Sequence, residues 1–94
     1  MKAYVYMVRC RNNALYTGWT NDLTARVAKH IGHKGAKYTK AFKAVKLVYF
    51  EELETKSLAM KREYAIKQMK KTQKEALVKG FLGNFRQKTE NLVK

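Results

Sequence analysis

The sequence predicts a small α/β domain, a three-stranded and mostly antiparallel sheet flanked by helices in the order β-β-α-β-α-α. Three observations predict it. The chain has 94 residues, which suits a single domain, since domains mostly run ~100–150 residues. It contains no proline and five glycines, with no low-complexity linker and no internal repeat to divide it. Short aromatic and β-branched runs alternate with segments whose apolar positions recur at helical spacing.

The first run, residues 3–9, carries Tyr4, Val5, Tyr6 and Val8 and reads as a strand. Arg11-Asn12-Asn13 reads as a turn, because asparagine tolerates left-handed backbone and bonds its own main chain. Residues 14–19 form the second strand and close a hairpin. Thr20 or Asn21 is the expected N-cap of a helix over residues 22–31, with Asp22 suited by charge to its first turn. Its stripe is Leu23, Val27 and Ile31, and Gly32 can end it. Residues 33–43 form a basic loop without a clear period. Residues 45–50 read as the third strand, with Leu47, Val48, Tyr49 and Phe50 nearly continuous. Thr55 or Ser57 opens a second helix running to about Lys70, with an expected stripe of Leu58, Ala65, Ile66 and Met69. Thr72-Gln73-Lys74-Glu75 fits a capping box for a short third helix that Gly80 can close. The domain is therefore expected over residues 1–80. Residues 81–94 form a C-terminal tail in which Phe81, Leu82 and Phe85 pack back onto it and Asn91–Lys94 frays.

Charge narrows the function. The chain holds 21 Lys and Arg against 7 Asp and Glu, a formal net charge of +14. The imbalance is strongest in residues 1–47, where ten basic residues face one acid, Asp22. Such a field favours phosphate polyanions as partners. At 46% hydrophobic residues the chain is too apolar for a disordered basic tail. No apolar run approaches the ~18–20 residues of a membrane span, and Arg9 interrupts the opening apolar run too early for a secretory signal. The single cysteine, Cys10, cannot form an intramolecular disulfide, and one thiol with two histidines does not make a structural zinc site. The expectation is a cytoplasmic protein with no membrane partner.

Several polar residues recur at suggestive places. Tyr6 and Tyr16 lie ten residues apart on the first two strands. Arg26 follows ten further on the first helix, with His30 one turn along the same face. Glu63 borders the apolar stripe of the second helix, within about 60° of Ala59 and Ile66 on the helical wheel. Each has an ordinary alternative. The tyrosines can be packing residues, Arg26 a surface cation, His30 a packing residue, and Glu63 a partner of Lys67 at i,i+4. Lys34, Lys37, Lys40 and Lys43, spaced three apart, suit either a phosphate track or a solvated loop.

These residues carry a resemblance. Tyr4-Val5-Tyr6 followed by Tyr16-Thr17-Gly18 resembles the paired signature of the GIY-YIG endonuclease superfamily. Trp19-Thr20-Asn21-Asp22-Leu23, the stretch from Arg26-Val27 to His30, and Arg62-Glu63-Tyr64-Ala65-Ile66-Lys67 extend it. Gly35-Ala36-Lys37-Tyr38-Thr39 resembles the basic loop of small single-domain bacterial members. The resemblance covers roughly residues 3–80. The chain departs from the pattern at Tyr4, where the family has its first glycine, at Val5 and Thr17, where it has isoleucines, and at Trp19, where some members carry lysine.

The resemblance implies the GIY-YIG fold and a metal-dependent endonuclease that hydrolyses DNA phosphodiester bonds. Glu63 would hold Mg²⁺ or Mn²⁺, and Arg26 would donate two hydrogen bonds to the phosphate. Tyr6 would act as general base with Tyr16 positioning it, the reverse assignment staying open, and His30 would bond the base or the water. Trp19 would stack on a base or sugar, and Lys34, Lys37, Lys40 and Lys43 would contact the backbone. No small-molecule cofactor is implied. The expected substrate is branched, nicked or single-stranded DNA, met with little sequence specificity in repair or recombination, with a protein partner as a source of targeting. Two other classes stay open. One is a non-catalytic module binding DNA or structured RNA. The other is a protein–protein adaptor with Trp19, Phe42 and Phe81 as anchors.

Overall fold

The computed structural model describes residues 2–31 and 44–81. Among these residues three strands and three helices follow one another in the predicted order. They are β1 (Ala3–Cys10), β2 (Leu15–Thr20), α1 (Leu23–Ile31), β3 (Ala44–Leu53), α2 (Lys56–Lys67) and α3 (residues 71–81). The strand order is β2-β1-β3, and β1 pairs antiparallel with both neighbours.

The hairpin turn is built from asparagine chemistry. Asn13 takes the left-handed conformation at φ 68°, which asparagine reaches more readily than most residues. Asn12 Oδ1 accepts a hydrogen bond from the Ala14 amide at 3.1 Å. The Cys10 amide donates to Ala14 O, and the Asn13 amide to Cys10 O, each at 2.9 Å.

As the central strand, β1 is buried on both faces. Ala3, Val5 and Met7 meet Ala59 and Ile66 of α2 and Val78 of α3 in the larger core. Tyr6 and Val8 form a smaller cluster on the opposite face, joined by Tyr16, Leu23 of α1 and Leu47 of β3. Alternation along a strand produces this two-sided division.

The helix signals were present but shifted. Asp22, rather than Thr20 or Asn21, caps α1, its Oδ1 accepting from the Ala25 amide at 3.2 Å. The Thr20 hydroxyl instead holds the Asp22 amide at 3.0 Å. Thr55 caps α2, accepting from the Leu58 amide at 3.1 Å. Its inward line is Ala59 and Ile66, both fully buried. The expected stripe members Leu58 and Ala65 are exposed, because α2 rests on the sheet along a line seven residues long in its repeat. The helix stops at Gln68, short of Lys70. The third helix opens two residues earlier than the Thr72–Glu75 box. Gln73 Oε1 reaches back to the Lys70 amide at 2.9 Å, and Gly80 lies inside the helix. Phe81 packs edge-on against Tyr49 and Phe50, at ring centroid distances of 5.6 and 5.2 Å. The rest of the tail lies outside the described residues.

Glu75 is thereby free to do something else. Both its oxygens accept from the Arg9 guanidinium, Nη1 at 2.5 Å and Nη2 at 2.6 Å, tying α3 to the end of β1. Arg9 holds the Glu75 carboxyl below its ordinary value of 4.5. A carboxylate with a depressed folded pKa stabilises above its unfolded value, and that contribution disappears as the pH falls through the folded one. Glu75→Gln is expected to lower stability by about 1 kcal/mol at neutral pH, with the difference from wild type closing below pH ~4. Denaturant melts across that range check it.

Candidate active site

The hydrogen-bonded register places Tyr6 directly opposite Gly18. The Tyr6 ring fills the space a side chain at position 18 would occupy. A Cβ on Gly18 would lie 2.6 Å from the Tyr6 hydroxyl and 2.9 Å from Cζ. Glycine is therefore required by close approach, not by backbone conformation, since no glycine among the described residues has positive φ. Lying across Gly18, Tyr6 is only 1% exposed yet helps to line a cleft.

That cleft encloses about 280 Å³ beside β2, the outer strand on that side of the sheet. Its walls include Tyr6 from β1, Tyr16, Gly18 and Trp19 from β2, Arg26 from α1 and Glu63 from α2. Four of the five residues expected to be catalytic therefore share one cavity, each from a different element. Arg26 stands exposed, while Tyr16, Trp19 and Glu63 are half-buried. The fifth, His30, lies on α1 one turn beyond Arg26; its side chain is outside the described residues. Lys34, Lys37, Lys40 and Lys43 are also outside them. Thr20 and Asn21 complete the lining; the sequence offers them as helix-cap candidates and as part of the Trp19–Leu23 stretch, without a role in the site.

Electrostatics couple the four. Burial, foremost, pushes the Tyr6 hydroxyl well above the ordinary phenol value. Tyr16 and the Glu63 carboxylate push in the same direction, and Arg26 opposes them. Tyr16 is raised for the same leading reason, with Glu63 raising it further and Arg26 lowering it. Lys67 Nζ, on the same helix, lies 3.7 Å from Glu63 Oε1.

The residue before Glu63 on α2 fixes its facing. Arg62 Nε donates to Glu51 Oε2 of β3 at 2.8 Å, and the Tyr49 hydroxyl donates to the same oxygen. Burial first, then this bond to Glu51, pushes Tyr49 up to about 12. Strapped to β3 through Arg62, α2 turns Glu63 toward the cleft.

Two departures from the motif find their explanation. Tyr4, standing where the pattern has glycine, is half exposed. Its ring meets Phe50 edge-on at 6.5 Å, and its hydroxyl donates to Glu52 at 3.2 Å, so it takes no space from the cleft. Trp19 has the Lys56 ammonium 5.3 Å from its ring centre, a cation–π contact.

No group of three or more His, Cys, Asp or Glu that could hold a metal gathers among the described residues. One half-buried carboxylate in a polar cleft nevertheless suits Mg²⁺ or Mn²⁺, which keep several waters and take further oxygens from phosphate. No helix among the described residues is long and apolar enough to cross a membrane.

Known proteins resemble this chain in sequence and in fold. Residues 2–76 match the family model for the GIY-YIG catalytic domain. The chain is 51% identical over 77 residues to UPF0213 protein SH2523 of Staphylococcus haemolyticus, covering 82% of this chain and 94% of that one. It is 49% identical over 75 residues to UPF0213 protein CPE1444 of Clostridium perfringens, covering 80% and 81%. Among solved structures, the solution NMR structure of UPF0213 protein BH0048 from Bacillus halodurans is similar at a TM-score of 0.55 and 39% identity, with 84% of each chain covered. That of EF2693 from E. faecalis is similar at 0.57 and 34%, with 86% of each covered.

Two substitutions test the packing of the cleft. Gly18→Ala forces the Tyr6 ring out of its place and is expected to cost about 1–3 kcal/mol, read by denaturant unfolding. Tyr6→Phe should behave oppositely in alkali. A phenol raised by folding costs stability as the pH rises from its unfolded value near ~10 toward the folded one. Removing it should move the onset of alkaline unfolding, followed by circular dichroism, to higher pH.

Proposed function

Because the chain belongs to the GIY-YIG catalytic-domain family, a family of nucleases, we propose that it is a divalent-metal-dependent endonuclease hydrolysing DNA phosphodiester bonds. On this reading it prefers DNA structure over sequence and serves repair or recombination. The supporting observation is the convergence of Tyr6, Tyr16, Arg26 and Glu63 on one cleft. An adaptor or a pure binding module has no use for two phenols, a guanidinium and a carboxylate around a shared cavity.

Glu63 is the group that would hold the metal, with waters and substrate phosphate completing its surroundings. When bound, the ion supplies Lewis-acid stabilisation of the scissile phosphate and the leaving oxygen. Arg26, exposed at the rim, offers a planar fork of donors to the phosphate as negative charge builds on it. One phenol takes the proton of the attacking water. Tyr16 suits that role better than Tyr6, the reverse of the expectation from sequence, because it is more accessible and Tyr6 is the more deeply buried of the two. Tyr6, wedged over Gly18, then serves to position Tyr16 and the water. Positive charge entering beside Glu63 would offset the carboxylate's upward push on both phenols. Trp19 offers a surface against which a base or sugar can stack. His30 and the lysines at 34, 37, 40 and 43 keep their proposed roles at the water and along the backbone.

The test is a cleavage assay on supercoiled, single-stranded and branched DNA with Mg²⁺ or Mn²⁺. Wild type should cut, and cutting should cease with chelator. Glu63→Ala and Arg26→Ala should each lower the rate by roughly 10²-fold or more. Arg26→Lys should recover only part of the loss, since it restores charge without the fork. Tyr16→Phe should remove the rise of rate with pH that phenol deprotonation imposes. Equal cutting by wild type and Glu63→Ala would overturn the assignment.

A further inference from the structure

A second pocket, of about 240 Å³, lies against β2 and is lined by Leu15, Tyr16, Thr17, Lys67 and Lys74. Tyr16 lines this pocket and the catalytic cleft alike. We infer that the pocket holds a backbone phosphate of the bound nucleic-acid strand, one step along from the phosphate in the cleft, between the Lys67 and Lys74 ammonium groups. The inference rests on the chain's binding nucleic acid but not on its cutting it.

Three observations carry it. The first is charge. Two lysines and no acidic residue line the pocket. Lys67 also stands 3.7 Å from Glu63, so positive charge runs from the edge of the cleft into the pocket. The second is Lys74, which is half-buried and makes no ion pair among the described residues. Its neighbours on α3 are engaged: Lys71 donates to Asn13 O at 3.1 Å, and Glu75 holds Arg9. A lysine beside a pocket without a carboxylate partner is open to a phosphate oxygen as its counter-charge. The third is Thr17. It is 3% exposed, and its Oγ1 is buried with no hydrogen-bond partner. Buried hydroxyls are normally paired, so an orphan calls for an explanation. Thr17 lines the pocket, and a change of χ1 rotamer re-aims Oγ1 without backbone movement, so that the hydroxyl would donate to a phosphate oxygen. Phosphate contacts of this kind position a strand without reading its sequence.

Thr17 makes the inference testable, because a structural and a binding role predict opposite results. Valine keeps the branched shape and removes the unpaired hydroxyl. Thr17→Val should leave the melting temperature unchanged or raised. The same variant should bind a fluorescein-labelled 20-nucleotide DNA, measured by anisotropy with EDTA present, roughly fivefold to tenfold more weakly. Thr17→Ser should restore the affinity. Lys74→Gln should weaken binding and reduce the slope of log affinity against log salt by about one. Wild-type affinity in Thr17→Val, an unchanged salt slope in Lys74→Gln, or no measurable binding by wild type would overturn the inference. Because chelator removes cleavage from the readout, the nuclease reading fails or stands separately. A protein that never cuts but binds through Thr17 and Lys74 keeps this site and loses that activity.

Discussion

The close approach of Tyr6 to Gly18 is the constraint on which the site depends. Antiparallel pairing places the two residues opposite each other, and the missing side chain at position 18 lets the phenol lie across β2. Any larger residue there would lift the ring and close the route by which β1, the buried central strand, delivers a functional group to the outer side of β2. The strand that organises the core thus also contributes to the cleft, and the price in packing is a phenol held far from its ordinary acidity.

The rest of the cleft is arranged around that ring. Among the described residues three strands make the sheet, so β2 there is both a neighbour of the central strand and an edge. Helices on opposite faces can meet beside it, and Arg26 of α1 and Glu63 of α2 do so. The Arg62–Glu51–Tyr49 network fixes the angle at which α2 presents Glu63. The carboxylate and guanidinium act on both tyrosines in opposite directions. A change of charge at Glu63 is therefore transmitted to both phenols at once, without any movement of the backbone.

Much of this was legible in the sequence. Aromatic and β-branched alternation located the strands, and Asn13 marked the turn where left-handed backbone is needed. The spacing of Tyr6, Tyr16, Arg26 and Glu63 marked residues that the fold does bring together. What could not be read were facts of tertiary registration. The inward line of α2 is Ala59 and Ile66 because the sheet it rests on selects that line, while periodicity alone admitted Leu58 and Ala65. Glu75 matched a capping box but pairs with Arg9 66 positions away, a partner no local pattern reveals. Thr17 reads in the sequence as a departure from the family's isoleucine. Only burial without a hydrogen-bond partner distinguishes it further.

The central claim is that the cleft around Glu63 is where a divalent ion meets the protein. Paramagnetic broadening tests it directly: substoichiometric Mn²⁺ is added to isotope-labelled protein and the amide resonances are followed one by one. The account predicts that Glu63, Gly18 and Asn21 broaden first and that Glu63→Ala abolishes the selectivity. Broadening centred instead on Glu51, Glu52 and Glu54, or an unaltered pattern in Glu63→Ala, would contradict it.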